Sequence, residues 1–516
     1  MSNNLSNHHL RWLAPPLTEV VFLTMLLWLV VGGQARALLS DGDTGWHIRT
    51  GQFILTERRF PTQDLFSYSR PGAEWFAWEW GADVLFALAH RAGGLQGVVL
   101  VAGVLIAATS ATLFAFLRWQ GVSVVAAVVV MLAAGSASTV HWLARPHLFT
   151  CFLFVVTLWM LEADRARPGR RLWWLAPLAA VWVNLHGGFV ALSALVGAYA
   201  AGEALGGQWR AARRYAAVGA TSLAATLANP YGYRLHLHIA RYLSSDFIRD
   251  RVEEFQSPRF RGESMLVFEA LLVAGLLVIP GLWRRRAYGP ALVLAALAHA
   301  ALGSVRHVLL YVVAAAPLVA AELERAMRSS GNAWLVELTR LGPAGGDRTG
   351  RLRPPLWGVA AVVAAAVALG SGHPRWQVDF PKEKFPLAAL TASEKYGLGR
   401  RLFTSDQWAD YLIYRNYPQQ RVFFDGRSDF YGAELGRQYL EAMTGHHRWE
   451  QIFDRNGFDV ALVPAGWPLA TVLKAHPGWR LDYDDGQALV LRRVGSELLS
   501  SANTQKYPAG EKRSPQ

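Results

Sequence analysis

The chain has 516 residues, of which 52% are hydrophobic and only 17% are charged. A water-soluble protein of this size rarely has so apolar a composition, and the apolar residues lie in blocks long enough to cross a bilayer. The net charge of +13 does not indicate a nucleic-acid partner, because most basic residues fall in short loops between the apolar blocks. The single cysteine, Cys151, excludes an intramolecular disulfide framework.

The apolar blocks predict a polytopic α-helical membrane protein with about eleven transmembrane helices. The first block is too long for the core of a cleavable signal peptide, so it predicts a helix that stays in the membrane. The predicted spans are Leu17–Leu39, 97–117, 122–140, 147–162, 171–185, 188–206, 215–228, 264–282, 289–303, 307–323 and 356–371.

The arginines predict the orientation of these spans. If the N-terminus is cytoplasmic, five arginine-containing loops all fall on the cytoplasmic side, as the positive-inside rule requires. These arginines are Arg118; Arg165, Arg167, Arg170 and Arg171; Arg210, Arg213 and Arg214; Arg284, Arg285 and Arg286; and Arg325, Arg328, Arg340, Arg348, Arg351 and Arg353. The pattern predicts a multi-pass membrane protein with a cytoplasmic N-terminus and with the opposite loops outside.

Three regions follow from this topology. Residues 1–371 form the predicted transmembrane domain, with a large first outer loop at 40–97, and residues 372–499 form a soluble outer α/β domain. In the soluble domain, the pattern predicts strands at Arg421–Phe424 and Asp459–Val463, helices at Trp408–Tyr414 and Glu434–Met443, and a hairpin around Asp484-Asp485-Gly486. The polar tail, 500–516, is predicted to be disordered.

The most informative motif is Asp41-Gly42-Asp43-Thr44-Gly45-Trp46-His47, directly after the first span. Two carboxylates this close can provide a general base or can hold a divalent cation that also meets phosphate oxygens. The alternative is a helix-ending turn, in which Asp and Gly are common. Glu79 and several tryptophans in the same loop favour a functional role.

Arginine and histidine recur at the outer ends of later spans. Arg145 and His147 precede one span and Arg306 and His307 precede another, and the fork of an arginine matches phosphate. We expect these four residues to gather near one cavity that faces the first loop. The alternative is contact with lipid headgroups. His186, in a tight glycine turn, is either a proton carrier or a hydrogen-bond donor, or simply part of a helix hairpin.

The acidic pair that opens the first outer loop resembles the signature of the GT-C membrane glycosyltransferases, which take sugars from polyprenyl-phosphate donors. The sequence is also similar to a bacterial subset of membrane proteins related to that superfamily. The matching segments are Asp41–Gly51, Phe76–Leu85, Arg145-Pro146-His147, Asn184-Leu185-His186-Gly187-Gly188, Asn229-Pro230-Tyr231-Gly232 and Phe424-Asp425-Gly426-Arg427. The resemblance implies that Asp41 or Asp43 is the catalytic or metal-binding acid, with Mg²⁺ or Mn²⁺ as the cation if one is used.

The leading hypothesis is therefore a glycosyltransferase that moves a sugar from a polyprenyl phosphate to a glycan, lipid or protein acceptor. In this hypothesis Asp41, Asp43 and Glu79 are catalytic. The expected substrate-binding residues are His47, Arg145, His147, His186, Arg306 and His307. A multi-span transporter or lipid flippase is the second hypothesis, and a non-catalytic membrane assembly protein is the third. All three hypotheses include membrane lipids as partners.

Overall fold

The computed structural model describes residues 14–341, 355–371, 373, 377–393, 398–399 and 401–495. The chain divides into two compact units. The first contains Met1–Leu39, Ile54–Phe60 and Ala77–Asp379, and the second contains Ser40–Phe53, Pro61–Phe76 and Phe380–Gln516. The predicted tail, 500–516, and the arginines at 348, 351 and 353 lie outside the described residues.

The first unit is helical. Its core is built from Leu, Val and Ala, with large fully buried rings at Trp182, Tyr199, Tyr215 and Tyr311. Its α-helices are Leu17–Val30, Trp80–Trp119, Val124–Ser138, His147–Ala166, Leu175–Trp182, Val190–Leu205, Trp209–Ala225, Tyr233–Ser244, Asp246–Arg251, Glu263–Arg284, Tyr288–Gly303, Val308–Ser329, Ala333–Leu338 and Leu356–Gly370. Short 3₁₀ turns are Gln34–Leu39, Thr139–His141, Arg170–Trp174, Gly187–Phe189, Glu253–Phe255 and Val305–His307.

Among the described residues, six helical segments are long and apolar enough to cross a membrane: Trp80–Trp119, Val124–His141, His147–Ala166, Gly187–Leu205, Glu263–Arg284 and Val305–Ser329. Three shorter apolar helices are Leu17–Val30, Tyr288–Gly303 and Leu356–Gly370. The predicted span 171–185 is built as a 3₁₀ turn followed by the eight-residue helix Leu175–Trp182. The predicted helical architecture, with several apolar helices long enough to cross a membrane, is thus confirmed, whereas the count of eleven spans stays a prediction.

The helix Trp80–Trp119 is interrupted at Gly93 and Gly94. Gly94 has φ +60°, a conformation that glycine adopts without steric cost. The interruption separates an N-terminal segment, which includes Ala82–His90, from the apolar segment that was predicted as the span 97–117.

The second unit is α/β, as the sequence predicts for its C-terminal part. Its strands are β1 (Leu402–Thr404), β2 (Val460–Pro464), β3 (Trp479–Asp484) and β4 (Ala488–Arg493), in the order β1-β2-β4-β3. Strand β1 pairs parallel with β2, and the other pairs are antiparallel. Its α-helices are Asp43–Glu57, Leu387–Ser393, Asp406–Asn416, Ser428–Met443, Trp449–Asn456 and Pro468–Ala475, the first of which ends in the helical unit.

One strand prediction is wrong. The segment Arg421–Phe424 is not a strand of the sheet, whose first strand is β1. The backbone of Val422 instead bonds to a first-loop segment: its N–H donates to the carbonyl of Phe66 (3.0 Å), and its carbonyl accepts from Tyr68 (2.9 Å). The apolar run is buried in either case, so its composition does not reveal which partner satisfies its backbone.

Candidate active site

The residues singled out in the sequence are divided between the two units. Asp41, Asp43 and His47 belong to the α/β unit. The helical unit contains Glu79, Arg145, His147, His186, Arg306 and His307.

In the helical unit, these residues sit where helices begin. Glu79 directly precedes Trp80–Trp119, and Arg145 lies two residues before His147–Ala166. Arg306 lies in the 3₁₀ turn Val305–His307. Helix starts leave backbone N–H groups without intrahelical partners, so polar side chains gather at such positions readily.

Arg145 and Arg306 approach the same carboxylate, which belongs to Glu254. Arg145 Nη1 lies 2.5 Å from Glu254 Oε1, and Arg306 Nε lies 3.7 Å from Glu254 Oε2. The Arg145 guanidinium holds the pKa of Glu254 well below its usual range, so this carboxylate is ionised at neutral pH. Two guanidinium groups that face one anion could also donate hydrogen bonds to the oxygens of a phosphate group.

Aromatic rings surround the Arg306 guanidinium. Its Nη1 donates to the hydroxyl of Tyr242 at 3.0 Å, and its central carbon lies 4.9 Å from the ring centroid of Phe255. Tyr242 also packs edge-on against Trp78, with ring centroids 5.8 Å apart. These contacts fix the direction of the guanidinium and supply ring faces against which a sugar can stack.

Two histidines connect the turn that contains Arg145 to the turn that contains Arg306. His147 Nε2 lies 2.6 Å from the carbonyl of His141, and His141 Nε2 lies 2.9 Å from the carbonyl of Val305. A carbonyl can only accept, so both Nε2 atoms carry protons and donate. The structure therefore brings Arg145, His147 and Arg306 together, with His147 using one nitrogen for an internal bond.

His307 is placed differently from Arg306. Its Nδ1 is buried and has no hydrogen-bond partner among the described residues. Its neighbour Arg306 takes part in the arrangement around Glu254, whereas His307 follows it at the start of the helix Val308–Ser329.

His186 lies in the glycine turn before Val190–Leu205, and its two nitrogens face different groups. Nδ1 is 2.7 Å from the Thr150 hydroxyl and 2.9 Å from the backbone N–H of Gly188. Nε2 is 3.4 Å from a carboxylate oxygen of Glu79. The structure thus places His186 beside Glu79, although the two residues are far apart in the sequence.

In the α/β unit, the first-loop acids begin a helix and do not end one. The N–H of Asp43, the first residue of Asp43–Glu57, donates to Asp41 Oδ1 at 2.9 Å. Asp43 is 6% exposed and His47 only 1%, and the His47 ring packs on Trp46 with centroids 3.6 Å apart. An Asp before a helical run is an N-terminal signal that the motif itself carries.

Asp43 lies beside two acids that sequence analysis did not single out as a cluster. The N–H of Gly426 donates to Asp410 Oδ1 (3.1 Å), and a Cβ at Gly426 would lie 2.1 Å from Asp43 Oδ1 and 2.7 Å from Asp410 Oδ2. Burial, with added repulsion from Asp43 and Asp425, raises the pKa of Asp410 well above its usual range. Burial and the neighbouring carboxylates thus both disfavour the ionised form of Asp410.

Arg427 pairs with two further acids of this unit, Asp425 and Asp64. Its guanidinium, which is almost fully buried, contacts Asp425 at 2.6 Å and Asp64 at 2.9 Å. It also lies 4.7 Å from the Trp75 ring centroid and 5.0 Å from that of Phe66. The Asp425–Arg427 turn is thus held by a local ion pair, and the same arginine fastens the segment 61–76 within this unit.

The described residues do not supply a recognisable metal site. Within the described ranges, no group of three or more His, Cys, Asp and Glu side chains is arranged to hold a metal ion. One oxygen of Asp41 is already used at the start of its helix. Its other oxygen and the carboxylate of Asp43 are of the type that a divalent cation prefers, so a cation at these two residues stays a prediction, and no step proposed below depends on it.

Sequence reasoning missed Glu254, Thr150, Trp182 and Asp410. Glu253-Glu254 is visible as an acidic pair in the loop between two apolar blocks, and that was the available signal. Thr150, Trp182 and Asp410 carry no such signal, since each lies inside an ordinary helix.

Solved structures with a similar fold include oligosaccharyltransferases of Archaeoglobus fulgidus. The apo oligosaccharyltransferase of Archaeoglobus fulgidus matches with a TM-score of 0.54 and 11% identity, over 93% of this chain and 74% of that one. The Archaeoglobus fulgidus oligosaccharyltransferase AglB, in complex with an inhibitory peptide and a dolichol-phosphate, matches with a TM-score of 0.55 and 12% identity, over 96% and 74%.

A third structure from Archaeoglobus fulgidus, an oligosaccharyltransferase tethered to an acceptor peptide containing the NVT sequon, matches with a TM-score of 0.52 and 11% identity, over 93% of this chain and 74% of that one. No protein-family model and no curated protein matches the chain. Identities this low show the fold alone. The GT-C fold implied by the sequence motifs is therefore confirmed.

Proposed function

We propose that the chain is a glycosyltransferase of the cytoplasmic membrane that moves a sugar from a polyprenyl-phosphate donor to an acceptor on the outer face. The observation that carries this proposal is the approach of Arg145 and Arg306 to a single carboxylate, that of Glu254. An anionic group of the donor would meet the same two guanidinium groups. The fold supports this reaction class, and the AglB structure contains a lipid phosphate of the proposed donor type.

The reaction is a displacement at the anomeric carbon of the sugar. A bond forms from the acceptor oxygen to this carbon, and the bond from the carbon to the phosphate oxygen breaks. The acceptor proton passes to Asp41 or Asp43, and the departing phosphate keeps the electron pair. Arg145 and Arg306 stabilise the charge that develops on that phosphate, and only such differential stabilisation accelerates the step.

The other expected residues have narrower parts in this proposal. Glu79 and His186 form one pair in the helical unit. His147 links the two arginine turns, and His307 and His47 remain candidates for substrate contact. Mg²⁺ or Mn²⁺ at Asp41 and Asp43 stays a prediction to which no step is assigned.

The topology also stays a proposal. It comprises eleven spans within 1–371, a cytoplasmic N-terminus, an outer loop at 40–97, an outer domain at 372–499, and residence in a bacterial inner membrane. Its support is the arginine distribution, together with the six long and three shorter apolar helices.

The central test is sugar transfer in membranes that contain the wild-type chain, Asp41→Asn, Asp43→Asn or the double variant. Asn keeps an oxygen that can accept the helix-starting hydrogen bond but cannot act as a base. Loss of a general base commonly costs about a hundredfold in rate or more. If both single variants and the double variant transfer at wild-type rates with normal expression, the acids are structural and this mechanism is wrong.

Mass spectrometry of lipid-linked sugars and surface glycans, with and without the gene, provides the complementary test. A glycosyltransferase should leave unused lipid-linked sugar and a missing surface glycan when the gene is absent. A missing surface glycan with the unused lipid-linked sugar on the inner leaflet, where a membrane-impermeant reagent does not reach it, would instead indicate a flippase. No change in either pool would favour an assembly protein.

A further inference from the structure

We propose that His186 is a positioning residue that holds the carboxylate of Glu79 through a proton fixed on Nε2. This proposal deepens the function proposed above and rests on it, because it explains how one acid of the candidate site is oriented. Of the three roles that the sequence allows for His186, the proposal selects a hydrogen-bond donor over a proton carrier and over a purely structural part of a helix hairpin.

The first step is the assignment of the proton on His186. The backbone N–H of Gly188 lies 2.9 Å from Nδ1, and a backbone N–H can only donate. Nδ1 must therefore present its lone pair. Since a neutral imidazole has one proton, that proton is on Nε2.

The contact between Thr150 and Nδ1 is compatible with this assignment. Trp182 Nε1 donates to the Thr150 hydroxyl oxygen at 2.8 Å, because an indole N–H is a donor only. The Thr150 oxygen in turn lies 2.7 Å from His186 Nδ1, and its own hydrogen is free to point there. Trp182, Thr150 and His186 thus form a chain of donors that ends on Nδ1.

The protonated nitrogen faces Glu79. Nε2 and Glu79 Oε1 are 3.4 Å apart, and the Glu79 side chain is almost fully buried. This distance is long for a charge-assisted hydrogen bond, but such bonds are often long before substrate binds and shorten in the reacting complex. The Nε2–H of His186 is therefore placed to restrict the orientation of the Glu79 carboxylate.

The backbone around both residues is held by separate contacts. Trp80 Nε1 donates to the Asn184 side-chain oxygen at 2.7 Å, and the N–H of Gly81 donates to the Asn184 carbonyl at 2.8 Å. These bonds connect the turn that contains His186 to the helix start that follows Glu79. The backbone bonds to Asn184 therefore keep His186 and Glu79 next to each other, even though the direct contact between the two side chains is long.

The turn also has no room for alternative packing. A Cβ at Gly187 would lie 2.6 Å from the Trp78 ring, and a Cβ at Gly188 would lie 2.5 Å from the Thr150 hydroxyl. Both glycines therefore permit a close approach that any side chain would prevent. The imidazole is held against Thr150 by this packing.

The charges around the ring favour the neutral form. Burial, followed by Arg306, His147 and Arg145, lowers the pKa of His186 well below its ordinary value, while Glu254 acts in the opposite direction. The imidazole is therefore uncharged near pH 7. An uncharged imidazole with a fixed tautomer is a suitable donor and a poor acceptor of a catalytic proton.

The experiment compares His186→Gln with His186→Asn in the transfer assay. The amide nitrogen of Gln can occupy the Nε2 position and donate to Glu79, whereas the shorter Asn reaches only the Nδ1 position. We expect His186→Asn to lose about tenfold to a hundredfold of kcat/KM, as for loss of a hydrogen bond to a charged group, and His186→Gln to recover most of it. His299→Asn, at an exposed histidine of the same unit, is the control.

The double variant His186→Asn/Glu79→Gln identifies the partner. If His186 acts through Glu79, the double variant should be no slower than the slower single variant. Additive losses, or a His186→Gln variant as slow as His186→Asn, would overturn the positioning role. Those losses would indicate that the ring itself carries a proton or contacts the substrate.

A tautomer measurement keeps the inference testable apart from activity. Nitrogen NMR of the histidine-labelled full chain in nanodiscs, with the His186 signal assigned by its absence in His186→Gln, should show a protonated Nε2 and a bare Nδ1 at pH 7.5. A proton on Nδ1 or a charged ring would refute the inference, even if transfer depends on Arg145 and Arg306. The expected tautomer in a chain without transferase activity would refute the proposed function alone.

Discussion

Replacing Glu254 by glutamine should strengthen the binding of a lipid phosphate. Glu254 is the anion that Arg145 and Arg306 now meet, at 2.5 and 3.7 Å. If the arginines serve a donor phosphate, the carboxylate competes with it for the same guanidinium groups. The substitution removes the competing charge and keeps the size of the side chain, so both guanidinium groups become available.

The magnitude follows from these distances. Two unit charges 4 Å apart interact with about 4 kcal/mol at an effective dielectric constant near 20. The side chains of Glu254 and Arg306 are 35% and 27% exposed, so solvent screening reduces the benefit to about 1–2 kcal/mol. This corresponds to roughly a tenfold decrease in Kd for a polyprenyl monophosphate.

The assay is titration of the purified full chain in nanodiscs with a polyprenyl monophosphate. Glu253→Gln is the matched control, because it removes the same charge from an adjacent and exposed side chain. Tighter binding in Glu254→Gln than in Glu253→Gln supports the phosphate site. Equal or weaker binding in Glu254→Gln would refute the reasoning and assign Glu254 a purely structural role.

The same variant makes a pH prediction. The pKa of Glu254 is depressed in the folded chain by Arg145, whereas the unfolded chain protonates this group near pH 4.3. The stabilising contribution is therefore fully present above about pH 5 and is lost as pH falls through the folded-state pKa. The difference in Tm between wild type and Glu254→Gln should stay constant from pH 5 to pH 8. A difference that changes within this range would contradict the ion pair.

Two further predictions concern the α/β unit and the topology. Arg427→Met should lower the free energy of unfolding by about 3–5 kcal/mol, because it leaves Asp64 and Asp425 buried without their cation. Denaturant unfolding measures this loss, with Arg437→Met, at an exposed surface ion pair, as the control. Equal stability of the two variants would contradict this account. Cysteines introduced at Thr62 and Ser428 should react with a membrane-impermeant reagent added from outside, and labelling only from the cytoplasmic side would overturn the proposed topology.

Apolar composition determined the main architecture of this chain. A single long block rich in Leu, Val and Ala satisfies all its backbone hydrogen bonds within itself only as a helix. The helical unit was therefore predictable. The alternation of elements after the last span likewise predicted strand β2, the helices around Trp408 and Glu434, and the hairpin at Asp484-Asp485-Gly486. The helix Asp43–Glu57 was overlooked, although Asp41 and Asp43 carry an N-terminal signal for it.

The sequence also selected candidate residues by their chemistry. Arginine and histidine at the ends of apolar blocks are costly to place there, so their recurrence at Arg145, His186 and Arg306 indicated a polar site. The choice of residues did not reveal their partners. Sequence spacing within one turn or helix restricts contacts to near neighbours, and the relevant partners are distant along the chain.

Only the tertiary structure determined which residues contact these candidate residues. Glu254 lies 109 residues from Arg145, and the Thr150 hydroxyl lies 36 residues from the His186 nitrogen that it contacts. The pKa of Asp410 is raised only because folding buries this carboxyl group beside Asp43 and Asp425. Local sequence sets which groups are available, whereas the charge state and tautomer of each group depend on burial and on neighbours that only the packed chain brings within a few ångströms.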